Sequence, residues 1–114
     1  MFSRENRLAQ DGDIQRVLRT GRKFFCPLFT IRWREAHNAV MPPRFAVVVS
    51  TKVAKRAVKR NRLRRITREL LRKNLRSIHS ADYMIILRPE VLKVPEAEYL
   101  QTLAGAFEKA KLLV

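Results

Sequence analysis

The apolar positions of this chain change period several times, and each change predicts an element. Ile14, Val17 and Leu18 fall at i, i+3 and i+4, which predicts a short helix; Asp11 or Asp13 is placed to cap it, and Gly21 to end it in the left-handed conformation. The run "FFCPLFTIRWRE" (24–35) then alternates as a strand does, with Phe29, Ile31 and Trp33 on one face and Thr30, Arg32 and Arg34 on the other. "EAHNAVMPPR" (35–44) reads as a connection, because Pro42 and Pro43 bar regular pairing. "RFAVVVS" (44–50) is apolar on both faces, the pattern of a central strand. "DYMIILR" (82–88) predicts a further strand, ended by Pro89. "VPEAEYLQTLAGAFEKAKLLV" (94–114) predicts a closing helix with Pro95 in its first turn and a core stripe of Tyr99, Leu103, Phe107 and Ala110. Glu96 and Glu98 near its start, and Lys109 and Lys111 near its end, suit the helix dipole.

Between the last two strands lies "KVAKRAVKRNRLRRITRELLRKNLR" (52–76), in which twelve of twenty-five residues are Lys or Arg and Glu69 is the lone acid. At about 100° per residue, Leu63, Ile66, Leu70, Leu71, Leu75 and Ile78 share one side of a helix. Arg62, Arg65, Arg68, Arg72 and Arg76 share the other, with Asn61 among them. Arg60, Arg64 and Arg68 form a line slanting from the apolar edge onto the polar side. A long basic helix over about 55–77 is predicted, anchored by leucines that present arginines. Strand 44–50, this helix and strand 82–88 then make a β-α-β unit with parallel strands, in a chain ordered helix, strands, long helix, strand, helix.

Composition narrows what such a helix is for. The chain has 114 residues, enough for one domain spanning 1–114 with one core, and 46% of them are hydrophobic. Its formal net charge is +15, from 25 basic and 10 acidic residues, and the usual partner of such a charge is a polyanion. No segment approaches about 18 uninterrupted apolar residues, which argues against membrane insertion. The opening "MFSRENRLAQDGD" lacks a signal peptide's apolar run, and Cys26 stands alone, so a reduced, cytoplasmic location is expected.

A solvated helix face is the bland explanation of a charge run, but such faces interleave both signs, and here only Glu69 is available for pairing. Arg predominates over Lys in 60–72, and a planar guanidinium fork fits phosphate oxygens and stacks on bases. The helix commits one side to a core and carries few neutral base-reading groups besides Asn61, and the chain has no zipper heptad, zinc spacing or clear helix-turn-helix. RNA bound through shape and phosphate is therefore favoured over DNA.

The string "KRAVKRNRLRRITRE" (55–69) resembles the arginine-asparagine-arginine motif of the protein component of bacterial ribonuclease P, centred on Arg60-Asn61-Arg62 and followed by Arg64, Arg65 and Arg68. "RLAQDGDIQRVLRTG" (7–21) resembles that family's opening helix, "RFAVVVSTK" (44–52) the strand before the motif, and "DYMIILRP" (82–89) the strand after it. The resemblance implies an α+β fold: a four-stranded sheet packed with helices, with a left-handed β-α-β crossover against the general rule. It implies an RNA-binding protein subunit of an endoribonuclease, in which a catalytic RNA subunit removes the 5′ leader of precursor tRNA. The protein helps that RNA fold and binds the leader. Mg²⁺ acts in the holoenzyme mainly through RNA, and the protein alone is assigned no cofactor, no metal and no catalytic residue. The partners implied are the catalytic RNA and precursor tRNA, with neither membrane nor DNA. A ribosomal or ribosome-assembly protein is the alternative; an architectural DNA binder is a more distant one.

Carried over by position, Arg60, Asn61, Arg62, Arg64, Arg65 and Arg68 are expected on the catalytic RNA, and Lys55, Arg56, Lys59 and Arg72 on further phosphates. The leader cleft is expected to use Ile14, Leu18, Arg32, Lys52, Arg60, Arg64, Arg68 and Arg88. Ile14 and Leu18 stand where many members have phenylalanines, Arg32 where an aromatic is found, and Thr51-Lys52 where the family has paired lysines. Arg88 matches a basic position, with Pro89 beside it. Lost ring stacking costs roughly 1–3 kcal/mol per base, which guanidinium stacking by Arg32 is expected to offset in part. Ile14 and Leu18 also read as ordinary core. Cys26 has no redox partner, His37 and His79 read as loop residues, and Glu35, Asp82 and Glu69 share no context that suggests a two-metal site. Trp33, Phe29 and Phe45 read as core; for Phe24 and Phe25, beside Arg22 and Lys23, core and nucleic-acid stacking both stay open.

Overall fold

A computed structural model describes residues 4–35 and 41–113. Residues 36–40 of the predicted connection 35–44, His37 among them, therefore lie outside the described residues. A 3-10 turn (Arg4–Asn6) precedes α1 (Asp11–Thr20), and strands β1 (Arg22–Phe25), β2 (Phe29–Glu35) and β3 (Arg44–Val48) follow. Next come α2 (Ala57–Lys73), a 3-10 turn (Leu75–Ser77), β4 (Ala81–Leu87), a 3-10 segment (Pro89–Lys93) and α3 (Glu96–Lys109). The sheet order is β1-β2-β4-β3, with β3 parallel to β4 and the other pairs antiparallel. The expected α+β class, the four strands and the β3–α2–β4 unit are all present. The run 24–35 divides into a hairpin: the Cys26 N–H donates to the Phe29 carbonyl at 3.0 Å and turns the chain.

β2 keeps its alternation, with Phe29, Ile31 and Trp33 buried. The central strand, however, is β4, and β3 is at the edge, contrary to the expectation for 44–50. β3 is apolar on both faces because both faces are covered. Phe45, Val47 and Val49 enter the main core, while Ala46 and Val48 pack with Leu8, Val17 and Met84 beneath α1. Its outer edge is protected where the Leu8 N–H donates to the Phe45 carbonyl at 3.0 Å, which answers the aggregation hazard of an open edge.

Two details of α1 correct the sequence. Gln10, not an aspartate, occupies the cap position; Asp11 and Asp13 lie inside the first turn, where they meet the positive end of the dipole. Gly21 is extended, at φ −75° and ψ 157°, not left-handed. It is needed for close approach: a β-carbon there would stand 2.4 Å from the Val17 carbonyl oxygen and 2.8 Å from that of Trp33.

α2 is shorter than 55–77 at both ends. Lys55 and Arg56 lie ahead of it, and at Asn74 the backbone leaves the helical region while the side chain donates to the Leu70 carbonyl at 2.7 Å. Its fully buried face is Leu63, Thr67 and Leu71. Burying each leucine contributes about 1.5–3 kcal/mol. Repulsion in the like-charged pairs Arg60–Arg64, Arg64–Arg68 and Arg68–Arg72 costs only a few tenths of a kcal/mol each, so the core wins. Thr67 was not foreseen as core. Its hydroxyl lies 2.7 Å from the Leu63 carbonyl and 2.6 Å from the Tyr99 hydroxyl of α3. Thr67 has one proton and gives it to the carbonyl, so Tyr99 is the donor of the second bond. Burial pushes the Tyr99 phenol up to about 12, which keeps it a donor.

The opposite sheet face carries α1, joined by a charged clasp. Arg44 pairs bidentately with Asp82, its register partner on β4, at 2.8 and 2.7 Å, and reaches Asp13 of α1 at 3.2 Å. Asp13 also accepts from Arg16. The Arg16 hydrogen bond first, and then the charges of Arg44 and Arg16, overcome burial and hold the Asp13 carboxyl below its ordinary 3.8. A depressed carboxylate contributes stability that is complete above its unfolded pKa and lost as pH falls through the folded one. Asp13→Asn is therefore expected to melt at a lower temperature than the parent at pH 7. In melts at successively lower pH the gap should narrow below about pH 3.8; a gap independent of pH would refute the clasp.

Candidate nucleic-acid interface

α2 begins without a side-chain cap and without an acid in its first turn, so the positive end of its dipole adds to Lys55, Arg56, Lys59 and Arg60. Lys52, Lys55, Arg56 and Lys59 are exposed around this end. Eight of the 17 residues of α2 are Lys or Arg, but the structure gives them different work.

Arg60 is half-buried and donates to the carbonyls of Ala54 and Lys55 at 3.0 and 2.7 Å, holding the loop that leads into the helix. Arg64 donates to Asn61 at 3.0 Å and to the Val49 carbonyl at 3.2 Å, tying α2 to the end of the β3 segment. Arg62 makes two 2.6 Å bonds to the Glu96 carboxylate at the start of α3. Those bonds, the Arg62 charge and the longer-range charge of Arg65 hold Glu96 below its usual range. Arg72 is paired with Glu69 at 2.5 Å. Among the described residues Arg65 and Arg68 form no ion pair with a carboxylate. Instead, partial burial and then the nearby charges of Arg7 and Arg64 push the Arg68 guanidinium below its ordinary value. Arg64, and Arg7 from a distant segment, thus lie near enough for their charges to act on Arg68. Sequence reasoning missed Arg7, which is held near α2 by the adjacent Leu8–Phe45 hydrogen bond. It also missed Glu96 as a partner of Arg62; nothing local in the sequence signals either.

Beside this cluster lies the α1 face of the sheet. Strand pairing aligns Phe25, Thr30, Ile86 and Val48 in one row across all four strands, and Lys23, Arg32, Met84 and Ala46 in the next. Ile14 and Leu18 are half-buried and pack on this face with Ala46, Val48 and Ile86, so they are partly core and partly open. Arg32 is not a free cation: it donates to the Leu18 carbonyl at 2.8 Å, closing the last turn of α1, and its buried Nε has no partner among the described residues. Arg88 is exposed just past β4, with Glu90 at 3.4 Å. Of the leader-cleft candidates, Ile14, Leu18 and Arg32 lie together at α1 and its sheet face, and Arg64 and Arg68 project from α2 on the other layer, with Arg64 reaching the Val49 carbonyl. Arg60 holds the loop before α2, Lys52 and Arg88 are exposed in loops, and Arg62 faces α3.

The carboxylates weighed for metal binding are dispersed. Asp82 is held by Arg44, Glu69 by Arg72, and Glu35 lies 3.8 Å from His79. Among the described residues no group of three or more His, Cys, Asp or Glu is arranged to hold a metal, and no helix is long and apolar enough to cross a membrane. Cys26 is half-buried at the hairpin turn and free.

Comparison with known proteins agrees with this geometry. The Ribonuclease P family model matches residues 2–111. The ribonuclease P protein component of Xanthomonas campestris pv. campestris is 30% identical over 112 residues, 98% of this chain and 74% of that protein. That of Synechococcus elongatus is 35% identical over 112 residues, covering 95% and 92%. In fold, the chain superposes on the Staphylococcus aureus RNase P protein with a TM-score of 0.85 at 23% identity, covering 96% of this chain and 98% of that one. With the family model matched over residues 2–111 and relatives of 30–35% identity matched over nearly the full length, the chain belongs to the ribonuclease P protein family, the protein subunit of a ribonucleoprotein endoribonuclease.

Proposed function

We propose that this chain assists the catalytic RNA of ribonuclease P in the cytoplasm by binding both that RNA and the 5′ leader of precursor tRNA, while the RNA and its Mg²⁺ perform the hydrolysis. The observation that carries the proposal is α2 itself, eight of whose 17 residues are Lys or Arg, with no side-chain cap and no acid in its first turn, and with the charges of Arg7 and Arg64 acting on Arg68. Exposed Lys52, Lys55 and Arg56 add charge ahead of α2, and exposed Lys59 and Arg65 add it along the helix toward α3. Counterion release from such a surface supplies affinity without sequence preference. Arg60 and Arg64 keep donors for RNA while also fixing the loops that carry them.

The test is reconstitution. The chain mixed with ribonuclease P RNA should cleave precursor tRNA at the mature 5′ end, and the protein alone should leave it intact. Arg65→Ala combined with Arg68→Ala should keep the melting temperature and weaken RNA binding. Each lost phosphate contact reduces the magnitude of the log-log salt slope by up to about one. An unchanged slope would remove both residues from the interface.

The Arg62–Glu96 pair gives a sharper check. The Arg62 side chain is 50% exposed and that of Glu96 45%, and exposed pairs contribute only about 0.2–1 kcal/mol, so phosphate can displace the carboxylate. Glu96→Gln is expected to tighten binding of the catalytic RNA a few-fold at low salt. Glu108→Gln, the same charge change on an exposed residue farther along α3, should not. Equal effects would reduce the gain to net charge.

A further inference from the structure

We infer that Phe25 is the base-stacking platform of this protein, receiving a nucleobase of the single-stranded leader at the far edge of the sheet. The inference rests on the leader-binding reading above and adds to it a residue that the family motif does not supply.

Adjacent Phe24 and Phe25 point to opposite faces of β1. Phe24 pairs with Ile31 and packs against the main core. Phe25 pairs with Thr30 on the α1 face and is 69% exposed. The rings of Phe29, Trp33, Phe45, Tyr83, Tyr99 and Phe107 are buried, so among the described residues Phe25 is the one aromatic ring largely open to solvent. Other apolar side chains are exposed singly as well, so it is the surroundings of this ring that point to a partner. Lys23 lies two residues away on the same face, and Arg22 adjoins it. The Phe25–Thr30–Ile86–Val48 row leads across the sheet, past Arg88, to Arg64 at the Val49 carbonyl. Three strand spacings separate Phe25 from Val48, about 14 Å. A surface that is cationic at both ends, half-apolar along its floor and closed by one open ring fits a single-stranded polyanion with bases. It does not fit a second copy of a chain carrying a net charge of +15.

This arrangement also accounts for Ile14 and Leu18. The α1 positions supply apolar contact without rings, and the stacking ring stands instead on β1. A leader crossing from the α2 arginines reaches Phe25 only when it is long enough to traverse the sheet, so the contribution of Phe25 depends on leader length.

The experiment uses the reconstituted holoenzyme and precursor tRNAs with a long or a one-nucleotide leader. Phe25→Ala should weaken binding of the long-leader substrate about five- to a hundredfold, the range of one base–aromatic stack, and leave the short-leader substrate unchanged. Phe25→Trp should retain affinity, and Phe25→Leu, which keeps bulk but loses the ring, should not restore it. Thermal melts of each variant confirm folding, which an exposed site permits. If the parent holoenzyme prefers long leaders and Phe25→Ala preserves that preference, this inference fails and the leader reading stands. If the parent shows no preference, both fail. If Phe25→Ala changes only the oligomeric state, the ring serves contact between copies and the inference is overturned.

Discussion

The buried hydrogen bond from the Tyr99 hydroxyl to Thr67, and from Thr67 to the Leu63 carbonyl, is the constraint on which the display of charge depends. α2 has a narrow apolar face, three fully buried residues long, and one of those three is polar. A threonine buried without a partner would cost about 1–3 kcal/mol. With Tyr99 as donor and the helix's own carbonyl as acceptor, the cost is met and the α2–α3 crossing has a fixed register. That register sets where every arginine of α2 emerges.

The arginines then divide by what the fold asks of them. Arg44 clasps β3, β4 and α1 through two aspartates; Arg32 closes α1; Arg60 holds the approach to α2. These bonds to carbonyls and carboxylates shape the surface. Arg65 and Arg68, with no such carboxylate among the described residues, and Arg7 beside Arg68, give the surface its potential. The division explains how so basic a chain remains ordered: a share of its cations is held by carboxylates and carbonyls of the fold, and others stay exposed along α2 and the loops.

What was legible in the sequence was whatever local periodicity encodes. The alternation of β2, the stripe of α3 and the apolar line of α2 all reflect contacts with a single buried side. β2 matches the structure, α3 keeps its stripe but runs Glu96–Lys109 rather than 94–114, and the α2 line loses Leu75 and Ile78, which lie past the helix, and gains Thr67. Strand order was not legible. The both-sided apolarity of β3 comes from coverage by α1 and the α2–α3 layer, and an edge strand so covered has the same pattern as a central one. Gly21 was noticed for a torsion angle it does not adopt, because close approach to the Val17 and Trp33 carbonyls is a tertiary fact. At the candidate site the motif arginines were legible as a group but not individually. Glu96 lies 34 residues beyond Arg62, and the proximity of Arg7 to Arg68 depends on how the opening segment lies along β3.

The repulsion that Arg7 and Arg64 exert on Arg68 has a consequence for the chain apart from its RNA. Work stored as like-charge repulsion is subtracted from a folding free energy that for most domains is only about 5–15 kcal/mol. A polyanion present at a hundred times its dissociation constant returns about 2.7 kcal/mol through mass action. If the catalytic RNA is that polyanion, as proposed above, bound copies melt at a higher temperature than free ones and open less often. Such openings are where proteases act, so on the binding proposed above the same charges also make the unbound chain the more easily cleaved form.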